Sequence, residues 1–512
     1  MSCVTPVRRV AARSVTTVDG LPDDVRRAWA DAFVDSGASQ CGFCTPGIVL
    51  RLAALADRKQ VVDEAAIRTA LLAHLCRCTG WQTVVEAACG VLGVPPSTEA
   101  PAPEIAAEQA ARDPLLAGWR AQIEGPLFQR ADVDTVLGRA RFADDTAPAD
   151  AVVAVADGSG GVAIGDTVAD ARRQSGKVQG RNSTAPLAHP VAVPPGEWAL
   201  TLQTTWVEPA YLEPDASWCH PGGTPASPLA NGGAFGGKRR SPVPATAREL
   251  ADRLDRPVRV LWPREEVVRR GPKRPPVAVG IRPDGTGVFR VARGVPPGVV
   301  SGGHGTVAAS AESGAADAAT LNGVVERVRR VAPGLEVDVV DVSGPPTSAD
   351  LRGAGWVEAA VVTAALSALA DGATGPGTPA EVTGPSGGRA RVVVADDGAV
   401  SVDVWAGDPL DPVTLRSYCI GAVHQALGWV RSEGIAVDGD GVVHDLTIRS
   451  FGILTARDTP PVNVTVHPSD LWPVNGSDAV FAATAAAAWL ADGLPPSWPT
   501  RRAGSSSGAA RP

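Results

Sequence analysis

Four cysteines in two tight pairs constrain this chain more than any other feature. Cys41 and Cys44 form a C-x-x-C, Cys76 and Cys78 form a C-x-C, and the stretches around them read as helix. One [2Fe-2S] cluster needs four thiolates of this kind, and a structural zinc ion accepts the same set. The flanking residues favour the cluster, which is anionic and needs N–H donors and positive potential around its sulfurs. Thr45 as N-cap and Pro46 at the first helical position start a helix just after Cys44, aiming free amides and the helix dipole at the sulfurs. Arg77 adds a charge between the second pair.

The segments Cys41-Gly-Phe-Cys-Thr-Pro-Gly47 and Leu75-Cys-Arg-Cys-Thr-Gly80 resemble the second, helical iron-sulfur domain of the xanthine dehydrogenase/aldehyde oxidase family of molybdenum hydroxylases. The resemblance implies that Cys41, Cys44, Cys76 and Cys78 hold a [2Fe-2S] cluster. It also implies a molybdopterin-type molybdenum cofactor elsewhere in the chain, with electrons leaving to a flavin- or ferredoxin-type partner.

The chain divides into an α+β multidomain protein, with a helical bundle followed by a mixed α/β region resembling the family's molybdopterin-binding part. Residues 21–93 read as four helices, Pro22 to Val34, Pro46 to Ala56, Asp63 to Leu75 and Trp81 to Leu92. Residues 94–125 form a Pro/Ala-rich linker, too short and too poor in core residues for a flavin domain. Residues 126–500 alternate strand and helix patterns. Arg391 to Val394 and Ser401 to Trp405 flank Asp397-Gly398 as a hairpin, and Ile435 to Val437 and Val442 to Ile448 flank Asp438-Gly-Asp-Gly441 similarly. Helices are predicted at Asp317 to Ala332, Trp356 to Ala370, Arg416 to Val430 and Asp478 to Leu490. Residues 501–512 read as a disordered tail.

A second motif, Asn231-Gly-Gly-Ala-Phe-Gly-Gly-Lys238, lets backbone amides approach a bulky ligand and equally suits a plain turn. Gly232, Gly237 and Lys238 have phosphate-loop spacing, but Arg239 stands where Ser or Thr should reach Mg²⁺ and no buried strand precedes the loop. By resemblance, Gly233, Ala234, Phe235, Gly236 and Gly237 bring amides and a ring beside the cofactor. Gly421-Ala-Val-His-Gln-Ala-Leu-Gly428 resembles the family's cofactor-proximal helix, which turns Gln425 toward the pterin. His424 reads as a packed or surface histidine. Weaker matches in family order are Gly138-Arg-Ala-Arg-Phe-Ala-Asp-Asp145, Trp206-Val-Glu-Pro209 and Arg256-Pro-Val-Arg259.

Three features depart from the family pattern. Cys3 matches the last ligand of a ferredoxin-like first domain whose other ligands are absent, so residues 1–20 read as its remnant. The stretches from Phe142 to Trp206 and from Pro214 to Gly232 are short where family members build the cavity wall. Finally, Ser477 stands where the family's catalytic glutamate is expected, and a hydroxyl is no base near neutral pH. Ser477 and Asp478 read as an N-cap and a first-turn carboxylate. The chain is therefore expected to be an oxidoreductase, the alternative being a catalytically lapsed protein that binds or helps assemble an iron-sulfur centre.

Composition excludes other classes. A formal charge of -8 and no basic run interleaved with aromatics argue against a nucleic-acid groove. With no leader-like apolar run near Met1 and no long apolar stretch, a cytoplasmic location is expected. Eight cysteines, four of them in metal-type spacing, suit a reducing compartment.

Overall fold

The computed structural model describes residues 7–57, 62–97, 112–125, 127–158, 160–176, 185–296 and 323–501. Cys3 and most of the tail at 501–512 lie outside the described residues. Among the described residues no helix is long and apolar enough to cross a membrane.

The helical domain forms because four amphipathic segments share one apolar core. Its helices are α1 (Asp23–Asp35), α2 (Thr45–Ala56), α3 (Glu64–Leu71) and α4 (Gln82–Leu92). Trp29, Phe33, Ile48, Leu52, Ile67, Leu71 and Trp81 are buried together between them. Asp63 caps α3 by accepting a 2.7 Å hydrogen bond from Ala66 N. Gly93 ends α4 in the left-handed conformation.

The linker expected over 94–125 is corrected in its second half. Pro114–Glu124 is a helix, capped by Asp113, and Arg120 on it donates to the carbonyls of Asp408 and Val474 in the larger region.

That region is α+β and holds three sheets. The first orders β2, β1, β5, β4, with β1 (Val152–Ala156) parallel to β5 (Val258–Trp262) and antiparallel to β2 (Val162–Gly165); β4 (Asp215–Cys219) runs antiparallel to β5. The second orders β13, β3, β6, β7, β8, from β13 (Ser497–Trp498) through β3 (Leu200–Thr204), β6 (Val277–Ile281) and β7 (Gly287–Val295) to β8 (Leu335–Ser343). The third orders β12, β11, β10, β9. In it the predicted hairpin is present as β10 (Arg389–Val394) and β11 (Val400–Trp405), with Val394 opposite Val400; β9 (Pro379–Thr383) and β12 (Val462–Val466) flank it. The other expected hairpin is present only as a short pairing, with Asp438 N donating to Val442 O and His444 N to Ala436 O. Val437 and Val443 make one isolated bridge, and Ile448–Ser450 is a 3-10 turn, because the Asp438 carboxylate accepts from the amides of Asp440 and Val442 and so closes the loop locally.

Three helices, Trp356–Ala370, Pro412–Arg431 and Ser477–Ala491, join the second and third sheets in one apolar core. Trp356–Ala370 and Ser477–Ala491 are apolar on nearly every side, as expected of helices packed on several faces. Of the helix predicted at Asp317 to Ala332, residues 323–331 are helical and the start lies outside the described residues.

Candidate functional site

Cys41 and Cys44 precede α2, and Cys76 and Cys78 sit between α3 and α4. Their sulfurs meet crosswise. Cys41 Sγ lies 3.8 Å from Cys78 Sγ, and Cys44 is hydrogen-bonded to Cys76. Two thiolates on one tetrahedral metal with bonds of about 2.3 Å stand about 3.8 Å apart, so the donors fit a metal cluster. The thiols stand in two pairs, and a two-iron cluster takes two thiolates on each iron. The Cys76 thiol is pulled down to about 6, chiefly by its hydrogen bond with Cys44, helped by Thr79.

Two details differ from the sequence expectation. The cap of α2 is Cys44 itself, with Thr45 as the first helical residue and its Oγ1 3.0 Å from Ser39 Oγ. Arg77 is neither solvated nor an unpaired charge for the cluster. It is buried, and its two guanidinium nitrogens hold Glu433 at the end of the Pro412–Arg431 helix.

That long helix runs directly beneath the second cysteine loop. A Cβ at Gly421 would lie 1.9 Å from the carbonyl oxygen of Cys78, so only glycine permits the approach. Gln40 Nε2 donates to the same carbonyl at 3.1 Å and to Ser417 Oγ at 3.0 Å. Gln425 Nε2 donates to the carbonyl of Arg77 at 3.1 Å. His424 is packed as expected. Its Nε2 faces Leu454 O at 3.1 Å, and burial pushes its imidazole down to about 4, so it is neutral.

The glycine-rich loop comes to the first cysteine loop from the other side. Asn231 Nδ2 donates to the carbonyl of Cys41 at 2.8 Å, and Gly232 packs on Cys41 Cβ. Ala234 and Phe235 adopt left-handed conformations, φ 47° and 54°, which non-glycine residues rarely hold unless fixed by their surroundings. The fixing contact is Arg352 N, which donates to Phe235 O at 3.1 Å. Gly236, at φ 89°, would drive a Cβ to 1.9 Å from Asp350 O. Lys238 is buried against Glu213 at 3.2 Å, which removes it from any phosphate-binding role.

Between these elements lies a cavity of about 350 Å³. Cys41, Cys44 and Cys78 form one wall, and Gly233, Ala234, Phe235 and Gly236 form another. Gln425 also lines it; Gly237 does not, and packs behind against Tyr211 and Pro209.

Residues 17–89 match the [2Fe-2S] binding domain family. A probable xanthine dehydrogenase subunit from Bacillus subtilis is 33% identical over 90 residues, 18% of this chain and 52% of that protein. The nicotine 6-hydroxylase small subunit from Paenarthrobacter nicotinovorans is 38% identical over 86 residues, 17% of this chain and 52% of that protein. The chain thus spans about half the length of the curated relatives it matches. Beyond that segment the likeness is one of fold. The aldehyde oxidoreductase of Desulfovibrio gigas aligns at a TM-score of 0.63 and 12% identity, covering 98% of this chain and 92% of that one. That of Desulfovibrio desulfuricans aligns at 0.54 and 13%, with the same coverage. Residues 17–89 thus belong to the [2Fe-2S] binding domain family, and over nearly its whole length the chain shares the fold of these two aldehyde oxidoreductases.

The expectation for Ser477 and Asp478 needs correction. Ser477 and Asp478 are not a self-contained cap. Asp478 N is capped by Asn475 Oδ1 at 2.9 Å, while the amides of Gly476 and Ser477 donate to the carboxylate of Glu124, from the Pro114–Glu124 helix. Arg352 then reaches over the helix start, with Nη2 2.5 Å from Ser477 Oγ and Nε 2.7 Å from Asp478 Oδ1. Asp478 lines the cavity, and burial pushes its carboxyl above the usual range despite Arg352. Glu124, Arg352 and Gln40 were invisible to sequence reasoning. The one hint was the glycine-rich Arg352-Gly-Ala-Gly355 turn before an apolar helix.

Proposed function

We propose that this chain is an iron-sulfur oxidoreductase of the hydroxylase type, in which a molybdopterin-type cofactor occupies the cavity and electrons leave through the cluster to a flavin- or ferredoxin-type partner. One observation carries the reading: the cavity has the cluster cysteines in its own wall, so no insulating layer of protein separates the two sites. Relatives named as subunits support an external electron acceptor.

When bound, the cofactor supplies two-electron redox chemistry at molybdenum. The chain's residues supply the rest. The amides of Gly233, Ala234 and Phe235 and the Gln425 side chain would bind and orient the pterin, and Phe235 and Trp356 would shield it from water. Ser477 cannot take a proton, since its hydroxyl has no useful basicity. Asp478 Oδ2, which has no hydrogen-bond partner among the described residues, is the cavity's proton acceptor, and Arg352 holds it in place through Oδ1.

Metal analysis tests this. Two irons and one molybdenum per chain, with the visible iron-sulfur absorption bleached by an aldehyde or N-heterocycle, are expected. Iron without molybdenum would favour the second reading, a catalytically lapsed iron-sulfur binding or assembly subunit. The serine at 477 and the Glu124 carboxylate filled by Arg120 and two amides also support that reading.

A further inference from the structure

The charges around the cavity do not cancel. Four carboxylates line it, and each has a cation: Glu124 with Arg120, Glu213 with Lys238 at 3.2 Å, Asp350 with Arg240 at 2.6 Å, and Asp478 with Arg352 at 2.7 Å. Arg77, also on the wall, is held by Glu433. Two lining arginines remain, Arg239 and Arg327, and among the described residues neither has a carboxylate partner. Arg327 gives Nε to Gly323 O at 3.0 Å and Nη2 to Ala349 O at 2.8 Å, which fixes the guanidinium and leaves Nη1 uncommitted. Arg239 has no side-chain hydrogen bond among the described residues and is exposed at the mouth, directly after the buried Lys238.

Two cations of separate elements thus face one cavity, and among the described residues neither is in an ion pair. Burial pulls the Arg327 guanidinium below its ordinary value; Asp350 and Glu358 oppose this, and the like charges of Arg274 and Arg239 add to it more weakly. An oxyanion between the two would remove that repulsion, and the forked guanidinium geometry matches a carboxylate. Tyr211, Phe235, Trp356 and Tyr418 give the same cavity four aromatic residues, suited to a planar ring.

We propose that Arg239 and Arg327 form an oxyanion subsite, and that the molecule admitted to this cavity is an aromatic or heteroaromatic carboxylate. The inference rests on reading the cavity as the substrate and cofactor site. It goes further by naming the substrate's charge and shape.

The test is calorimetric titration of the full chain with benzoate and with benzamide, its uncharged counterpart. Benzoate should bind once per chain, weaken with added salt, and lose about tenfold or more in affinity in Arg239→Gln and in Arg327→Gln, with benzamide indifferent to both changes. Arg239 is exposed, so Arg239→Gln keeps the test valid even if Arg327→Gln unfolds. Equal binding of benzoate and benzamide, or unchanged benzoate binding in Arg239→Gln, overturns the subsite. Benzoate binding that disappears once the cofactor is loaded also overturns it, because the oxyanion would then be the cofactor's own phosphate. Arginine-dependent benzoate binding in a protein that never takes molybdenum sinks the redox reading and leaves the subsite standing. A molybdenum-loaded protein reduced by neutral substrates, with benzoate binding blind to both arginines, does the reverse.

Discussion

Arg77 and Glu433 meet in a buried, two-pronged ion pair, Nη1 to Oε1 at 2.5 Å and Nη2 to Oε2 at 2.6 Å. Arg77 lies between two cluster cysteines, and Glu433 lies just beyond the helix that floors the cavity, so the pair ties the iron-sulfur loop to the larger region. Removing one partner from a buried pair leaves the other charge uncompensated, at about 3–5 kcal/mol. Glu433→Gln should therefore lower the unfolding free energy by that order in denaturant titration and loosen iron. A change under about 1 kcal/mol would show that the pair is not the tie described here.

Gly421→Ala tests the close approach of the long helix to Cys78. The added methyl cannot fit 1.9 Å from a carbonyl, so either the helix or the cysteine loop must move. Iron content and visible absorption should fall together while helical circular dichroism is kept. Full cluster occupancy in this variant would mean that the contact is softer than the backbone spacing implies.

Cys76→Ala removes the most deeply buried of the four thiols, and Cys76 is the one held in the thiolate-favouring environment. The cluster chromophore should be lost, because three thiolates leave one iron short of a ligand. An unaltered spectrum would contradict the ligand assignment.

His424 predicts a pH dependence. Folding holds its imidazole at about 4, whereas the unfolded chain protonates near 6.5, so between these values the unfolded state binds the extra proton. Its stabilising contribution is complete above about pH 6.5 and falls away toward pH 4, by about 3 kcal/mol in all. His424→Gln should flatten the stability profile across that window. Parallel profiles of the two proteins would place the acid sensitivity elsewhere.

Asp478→Asn keeps the bond from Arg352 and removes the acceptor. In molybdenum-loaded protein, bleaching of the cluster by substrate should slow by about 10²-fold or more. Iron and molybdenum contents should not change. Unchanged bleaching would remove Asp478 from the proton path.

Much of the helical domain was legible because its signals are local. Apolar spacing, Pro46 after Cys44 and the two cysteine pairs each act within a few residues, and helix ends fell within one or two residues for α1, α2 and α4. One failure came where a local rule met a distant partner, and two where one local contact displaced another. Thr45 lost the cap to Cys44, and Ser477 looked like a cap until Glu124, 353 residues earlier, took its amide. The loop after Val437 looked like a longer hairpin than the one the Asp438 side chain closes.

Residue order alone is enough for four thiolates in cluster spacing, a helical frame to carry them and a glycine-rich loop able to admit a ligand. Those properties follow from neighbouring residues. The packed fold was needed to put Gly232 on Cys41, to lay Gly421 under Cys78 and to bring Arg239 and Arg327 to one cavity. Contacts between residues far apart in the chain depend on how whole elements pack, and no local periodicity encodes that.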